Sequence, residues 1–155
     1  MTATILVTGF GPFPGAPHNP TGPLVERVSR LRRPVMAGIT IVPHIFRTSY
    51  ATVDDELQSL LKRHRPDALL MFGLAPHAKS IRIETRARNA LSSFRDVSGR
   101  SLDRRSIVSG GPPALALPAQ LKLGGDQVQD GAAIGFQLGI GGQVGFDARR
   151  LTCPQ

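Results

Sequence analysis

Ala3-Thr4-Ile5-Leu6-Val7-Thr8-Gly9-Phe10-Gly11-Pro12-Phe13 sets the architecture of this chain. Residues 3–7 form an apolar, β-branched run halted by Gly9, the pattern of a strand buried on both faces of a parallel sheet. Four prolines follow Phe13 before residue 24, so that stretch is loop. Leu24, Val25, Val28 and Leu31 then share one helical face, with Thr21 placed upstream as an N-cap, and a helix is expected over 22–32.

The same alternation repeats downstream. Residues 38–46 read as a second strand, clearest at Ile39-Thr40-Ile41-Val42. Thr52 can cap a helix over 52–65 whose apolar stripe is Val53, Leu57, Leu60 and Leu61. Asp54, Asp55 and Glu56 lie toward its start and Lys62, Arg63 and His64 toward its end, as the helix dipole favours. Pro66 stops it, and 68–73 follows as a third buried strand. Residues 80–85 alternate as a half-buried strand or an extended edge segment. Strand-helix-strand-helix-strand predicts an α/β fold: a three-layer α/β/α arrangement with a mainly parallel sheet and an incomplete C-terminal half.

Beyond about residue 121 the character changes. Between Gly124 and Gly145 there are eight glycines and two charges, Asp126 and Asp130, a composition that weakens helices and strands alike. Ile134, Phe136, Leu138 and Ile140 alternate, enough for one weak strand. The expected organisation is a domain over 1–121 and a poorly ordered tail over 122–155.

Composition narrows the function. The 155 residues suffice for one domain. No apolar run is long enough to span a bilayer, and no basic segment precedes the first apolar run, so no membrane role and a cytoplasmic location are expected. The formal charge of +8 concentrates in residues 62–105, with eleven Lys or Arg against four Asp or Glu. No regular aromatic interleaving accompanies them, Phe72 and Phe94 being the aromatic residues of that stretch, and sixteen of the nineteen basic residues are Arg, as a GC-rich coding bias also produces. A solvated basic face is favoured over nucleic-acid binding. Gly9-x-Gly11 is not followed by a third glycine at dinucleotide spacing, and Pro12 and Pro14 remove amide donors. No Gly-Lys-Ser/Thr occurs. His18, His44, His64 and His77 stand in no ligand spacing and read as surface or loop residues, so neither a metal nor a cofactor is expected.

Thr8-Gly9-Phe10-Gly11-Pro12-Phe13, then Asn19-Pro20-Thr21, then Gly73-Leu74-Ala75 and Ile81-Arg82-Ile83-Glu84 through Ala87-Arg88-Asn89 together resemble the pyroglutamyl peptidase I family in order and spacing. The resemblance spans residues 3–121. It implies a cysteine peptidase that removes an N-terminal pyroglutamate, with pyroglutamyl peptides as its partners. Phe10 and Phe13 would line the lactam pocket, where aromatic faces suit a flat neutral ring. Packing of the loop on the sheet is the competing role. Asn19 would order the loop or the site, or form a local turn. Glu84 would be the triad acid that orients a histidine; a salt bridge with Arg82, Arg86 or Arg88 is the alternative.

The family's histidine would take the cysteine proton, and the thiolate would attack the pyroglutamyl carbonyl. Neither residue has a counterpart here. The single cysteine, Cys153, lies between Thr152 and Pro154, outside any Asn-x-Ala-Gly-x-(Tyr/Phe)-x-Cys-Asn segment, and no histidine follows His77. The expectation is a family member truncated or frame-shifted near residue 120 and catalytically defective. A sheet face left bare would favour self-association. A non-catalytic α/β remnant that binds a small ligand or a protein is the alternative.

Overall fold

The computed structural model describes residues 2–75, 82–84, 86–91, 95–101, 106–107, 109–116 and 133–140. Strands β1 (Ala3–Phe10), β2 (Ile39–Phe46) and β3 (Ala68–Ala75) are joined through helices α1 (Thr21–Ser29) and α2 (Tyr50–His64). Then come the short strands β4 (Arg82–Glu84), β5 (Arg86–Arg88) and β6 (Ala114–Ala116), and lastly β7 (Ala133–Ile140). The main sheet runs β2-β1-β3-β7-β4, and β5 pairs with β6 separately. β1 is parallel to both β2 and β3, and β4 is parallel to β7. β7 runs antiparallel along the whole of β3. The expected three-layer, mainly parallel architecture is what forms.

The unbroken apolar run of β1 is explained by burial on both sides. Val7 packs with Val25 of α1 and Phe72 of β3 on one face. Leu6 packs with Phe46, Leu57 of α2 and Leu69 on the other. Full burial of each such side chain is worth about 1.5–3 kcal/mol. Thus each face of β1–β3 carries a helix, and the expected bare apolar face is not found over these strands. At the base of the sheet, Asp67 bridges β1 and β3. Its amide donates to Thr4 O at 2.8 Å and its Oδ2 accepts from Thr4 N at 2.7 Å.

Several boundaries differ from expectation. β1 runs through Gly9 to Phe10, because the β2 pairing continues to Phe10↔Phe46. α1 ends at Ser29, leaving Leu31 43% exposed outside the apolar face assigned to it. Thr21 is the first helical residue rather than the cap; its hydroxyl is drawn off to the backbone of Phe10. α2 begins at Tyr50 with Ser49 in the N-cap position, so Thr52 lies inside the helix and the first turn holds no acid. Lys62, Arg63 and His64 do occupy its last turn. Of the glycine-rich tail, residues 133–140 are described, and they form the weak strand that their alternation allowed.

Thr8 is fully buried on β1, and its Oγ1 has no hydrogen-bond partner among the described residues. An isosteric methyl would relieve that cost without opening a cavity. Thr8→Val is therefore expected to stabilise the chain by about 1 kcal/mol, read as a higher midpoint in thermal unfolding. An unchanged or lower midpoint would mean that the hydroxyl has a partner after all.

Candidate functional site at the carboxyl end of β1

The strand order β2-β1-β3 places α1 and α2 on opposite faces, so the chain diverges at the carboxyl ends of β1 and β3. Such a switch point is where open α/β sheets hold their ligands. Phe10 ends β1 there. Gly73 lies two residues past Met71, the partner of Thr8 on β3. A Cβ built on Gly73 would meet nothing within 4 Å among the described residues.

The loop after β1 is braced from three directions. Gly11 N donates to Phe46 O at 2.9 Å, carrying the β1–β2 pairing one step beyond the strand. Phe13 and Ala16 exchange backbone bonds of 3.3 and 2.8 Å around Pro14 and Gly15, and Gly15 has φ +89°. Proline first and a positive-φ glycine second is the requirement of a type II turn. Asn19, only 6% exposed, is the third brace. Its Nδ2 donates to Gly11 O at 3.1 Å, while its Oδ1 accepts from Thr21 N at 3.1 Å and Thr21 Oγ1 at 2.9 Å. Thr21 Oγ1 in turn accepts from Phe10 N at 2.9 Å and lies 3.1 Å from Phe10 O. Asn19 thus orders the loop as well as turning it. Asn19 takes the Thr21 amide, and Pro23 has none to offer at the start of α1.

Phe10 is half-buried, with its ring tilted against Phe46 at a centroid separation of 5.8 Å. Phe13 is half-buried in the turn. Glu84 is on β4 beside Gln137 of β7. Two strands, β3 and β7, separate it from β1, so its backbone lies three inter-strand steps of about 4.8 Å from that strand. Phe10 ends β1, and Phe13 and Asn19 follow it in one loop; Glu84 stands across the sheet from them. Cys153 and His77 lie outside the described residues. Among the described residues no group of three His, Cys, Asp or Glu is placed to hold a metal.

Two features escaped the sequence reading. His44 lies within the strand expected over 38–46, and there its Nε2 is 2.8 Å from Glu56 Oε2 and its ring meets Phe46 edge-on at 4.6 Å. The β2–α2 packing creates that pair across twelve residues, and no local spacing announces it. The second feature is Asp96, whose signal was Asp-Val-Ser-Gly, the composition of an Asx turn. Its Oδ1 accepts from Ser98 N at 2.8 Å and Arg100 N at 3.0 Å. Its Oδ2 accepts from Tyr50 N at 3.2 Å, so a distant loop supplies the acid that the first turn of α2 lacks. Val97 N donates to Thr48 O at 3.1 Å, and Thr48 Oγ1 donates to Gly11 O at 3.2 Å. The Asp96 loop therefore supports the Phe10 loop through Thr48.

Burial alone would raise the Asp96 pKa, but hydrogen bonds from Arg100, Ser98, Tyr50 and Ser49 outweigh it and hold the carboxyl below its ordinary value of 3.8. A carboxyl lowered in the folded state stabilises the fold above its unfolded pKa, and that contribution fades as pH falls through the lowered value. Asp96→Asn should lower the thermal midpoint at pH 7 and narrow its gap from the parent below pH 3.8. Equal losses at both pH values would refute this linkage.

An aromatic loop is braced at the switch point of a three-layer sheet, the place where open α/β sheets hold small ligands. The chain belongs to the pyroglutamyl peptidase family, which it matches over residues 3–122. It is 31% identical over 112 residues to the pyrrolidone-carboxylate peptidase of Pyrococcus furiosus, covering 71% of this chain and 52% of that protein. Over 116 residues it is 37% identical to pyrrolidone-carboxylate peptidase 1 of Ralstonia nicotianae, covering 72% and 51%. Solved structures agree. A variant of the Pyrococcus furiosus enzyme superposes with a TM-score of 0.66 at 29% identity, over 74% of this chain and 55% of that one. Pyroglutamyl peptidase I of Bacillus amyloliquefaciens gives 0.64 at 28%, over 74% and 55%. The chain thus spans about half the length of these relatives. Among the described residues no helix is long and apolar enough to cross a membrane.

Proposed function

We propose that this 155-residue chain carries the pyroglutamyl-recognition half of a cysteine pyroglutamyl peptidase and does not hydrolyse the bond by itself. The observation that carries the reading is the bracing of Phe10 by Thr21 and Asn19 beside the space that the described residues leave at Gly73. A flat, neutral lactam offers two faces to aromatic rings and an amide edge to backbone groups, and a preordered loop binds it with little entropic cost. Phe10 and Phe13 would contact the ring, and Asn19 would hold the loop that presents them. Glu84 would be the acid of the family's triad.

Hydrolysis further requires a thiolate to attack the carbonyl and a base to carry its proton to the leaving amine. Cys153, with no histidine after it in these residues, has no such partner in sequence. Binding without turnover follows. The test pairs calorimetric titration of a pyroglutamyl dipeptide with release of a fluorophore from a pyroglutamyl amide. Saturable binding that weakens in Phe13→Ala, with no release, is the expected result. Release abolished by Cys153→Ala would overturn the claim of inactivity, and absence of binding at millimolar ligand by folded protein would overturn the pocket.

A further inference from the structure

We infer that the edge of β2 left unpaired among the described residues, with the groove beside it, docks an extended acidic segment of another protein. The large hydrophobic residues left exposed among the described ones are Leu31, Val35 and Ile45. All three lie on β2 or on the connection leading into it from α1. Val35 is 86% exposed in a 3-10 turn, Pro34–Met36. Between that turn and the strand lies a groove of about 620 Å³ whose apolar lining includes Leu31, Met36, Ile39 and Ile41. It stands apart from the Phe10 loop, and the proposed peptidase reading makes no use of it.

The backbone of β2 is arranged to accept a strand there. Ala3 N donates to Gly38 O and Gly11 N to Phe46 O, so the even-numbered residues of β2 turn their polar groups toward β1. The odd-numbered ones, Ile39 and Ile41, therefore turn theirs to the open edge. Pro43 occupies the next outward position and has no amide to offer. That is why a proline is tolerated inside this strand, and it confines any added strand to the first half of β2. Added strands gain affinity from the main chain and specificity from alternate side chains, which here would enter the groove.

Charge selects the partner. Arg32 and Arg33 line the groove, Arg27 stands on the adjoining helix and Arg30 caps its end. The Arg32 guanidinium is fixed by the carbonyls of Ser29 and Leu31, both at 3.0 Å. That of Arg33 has no hydrogen bond or ion pair among the described residues. Glu26, the acid nearest in sequence, is already 3.7 Å from Arg30. A second copy of this chain, formally at +8, would bring like charges together. A nucleic acid would find no aromatic side chain in the groove on which to stack.

The test is fluorescence anisotropy of the full chain with a labelled peptide of alternating Val and Glu, its Val-Lys counterpart and an oligothymidine. The Val-Glu peptide is expected to bind saturably and to lose about tenfold or more in affinity in Arg33→Glu. It should lose comparably in Ile39→Pro, which deletes one outward amide at a strand start that accepts proline. Circular dichroism and thermal midpoints of both variants should match the parent. Equal binding of both peptides, indifference to both substitutions or preference for the oligonucleotide would overturn the proposal. A concentration-dependent mass abolished by Ile39→Pro would also overturn it, by assigning the edge to a second copy. The pyroglutamyl titration is read at the other end of the strand, so the two readings fail independently.

Discussion

Gly9→Ala is expected to cost about 3 kcal/mol and lower the thermal midpoint by roughly 6–12 °C. A Cβ at Gly9 would stand 2.7 Å from Thr21 O and 3.0 Å from Thr21 C, both backbone atoms, and 2.9 Å from Val25 Cγ2. No side-chain rotation relieves the first two contacts, so α1 must lift from β1. The lift separates Thr21 Oγ1 from Phe10 and Val25 from Val7 and Phe72, where Val25 is fully buried. The damage therefore reaches the site as well as the core. Two other glycines separate this cause from backbone freedom. Gly73→Ala meets nothing within 4 Å among the described residues and should leave the midpoint unchanged. Gly15→Ala likewise meets none of them but must hold φ +89°, so it should cost about 1 kcal/mol. A Gly9→Ala midpoint as high as that of Gly73→Ala would contradict the close approach of α1.

The same contact shows why part of the fold was legible from residues alone and part was not. Runs such as Ile5-Leu6-Val7 and Leu69-Leu70-Met71-Phe72 carry burial on two faces in their own composition, and the amphipathic stripes between them carry the helices. Boundaries depended on partners remote in sequence. Thr21 has the chemistry of an N-cap, but Phe10 claims its hydroxyl. Thr52 was equally eligible, yet α2 starts earlier because Asp96, forty-six positions from Tyr50, meets its first amide. Strand β7 was marginal on its own pattern; β3 and β4 supply the pairing that eight glycine-interrupted residues lack. Phe10 ends β1 and Phe13 and Asn19 follow it in one loop, so their proximity was legible in the sequence. His44 and Glu56 meet only through tertiary packing, which local spacing does not encode.

Asn19→Ala should cost about 2–3 kcal/mol and weaken pyroglutamyl-peptide binding even where the chain remains folded. Truncation leaves the buried Thr21 amide without its acceptor and removes one neighbour of Thr21 Oγ1, while Gly11 O keeps Thr48. An orphaned buried donor costs about 1–3 kcal/mol, and the lost restraint on Gly11 frees the segment that carries Phe13. Asn19→Asp isolates the two roles. A carboxylate still accepts from Thr21 and suits the start of α1, so helix stability should largely return. It cannot donate to Gly11 O and would set two acceptors 3.1 Å apart, so the loop should remain loosened. The expected pattern is a midpoint close to the parent for Asn19→Asp with binding still reduced, against losses in both for Asn19→Ala. If Asn19→Asp binds like the parent, the Gly11 contact does not present Phe13. If it recovers neither property, the Thr21 amide is not what Asn19 secures.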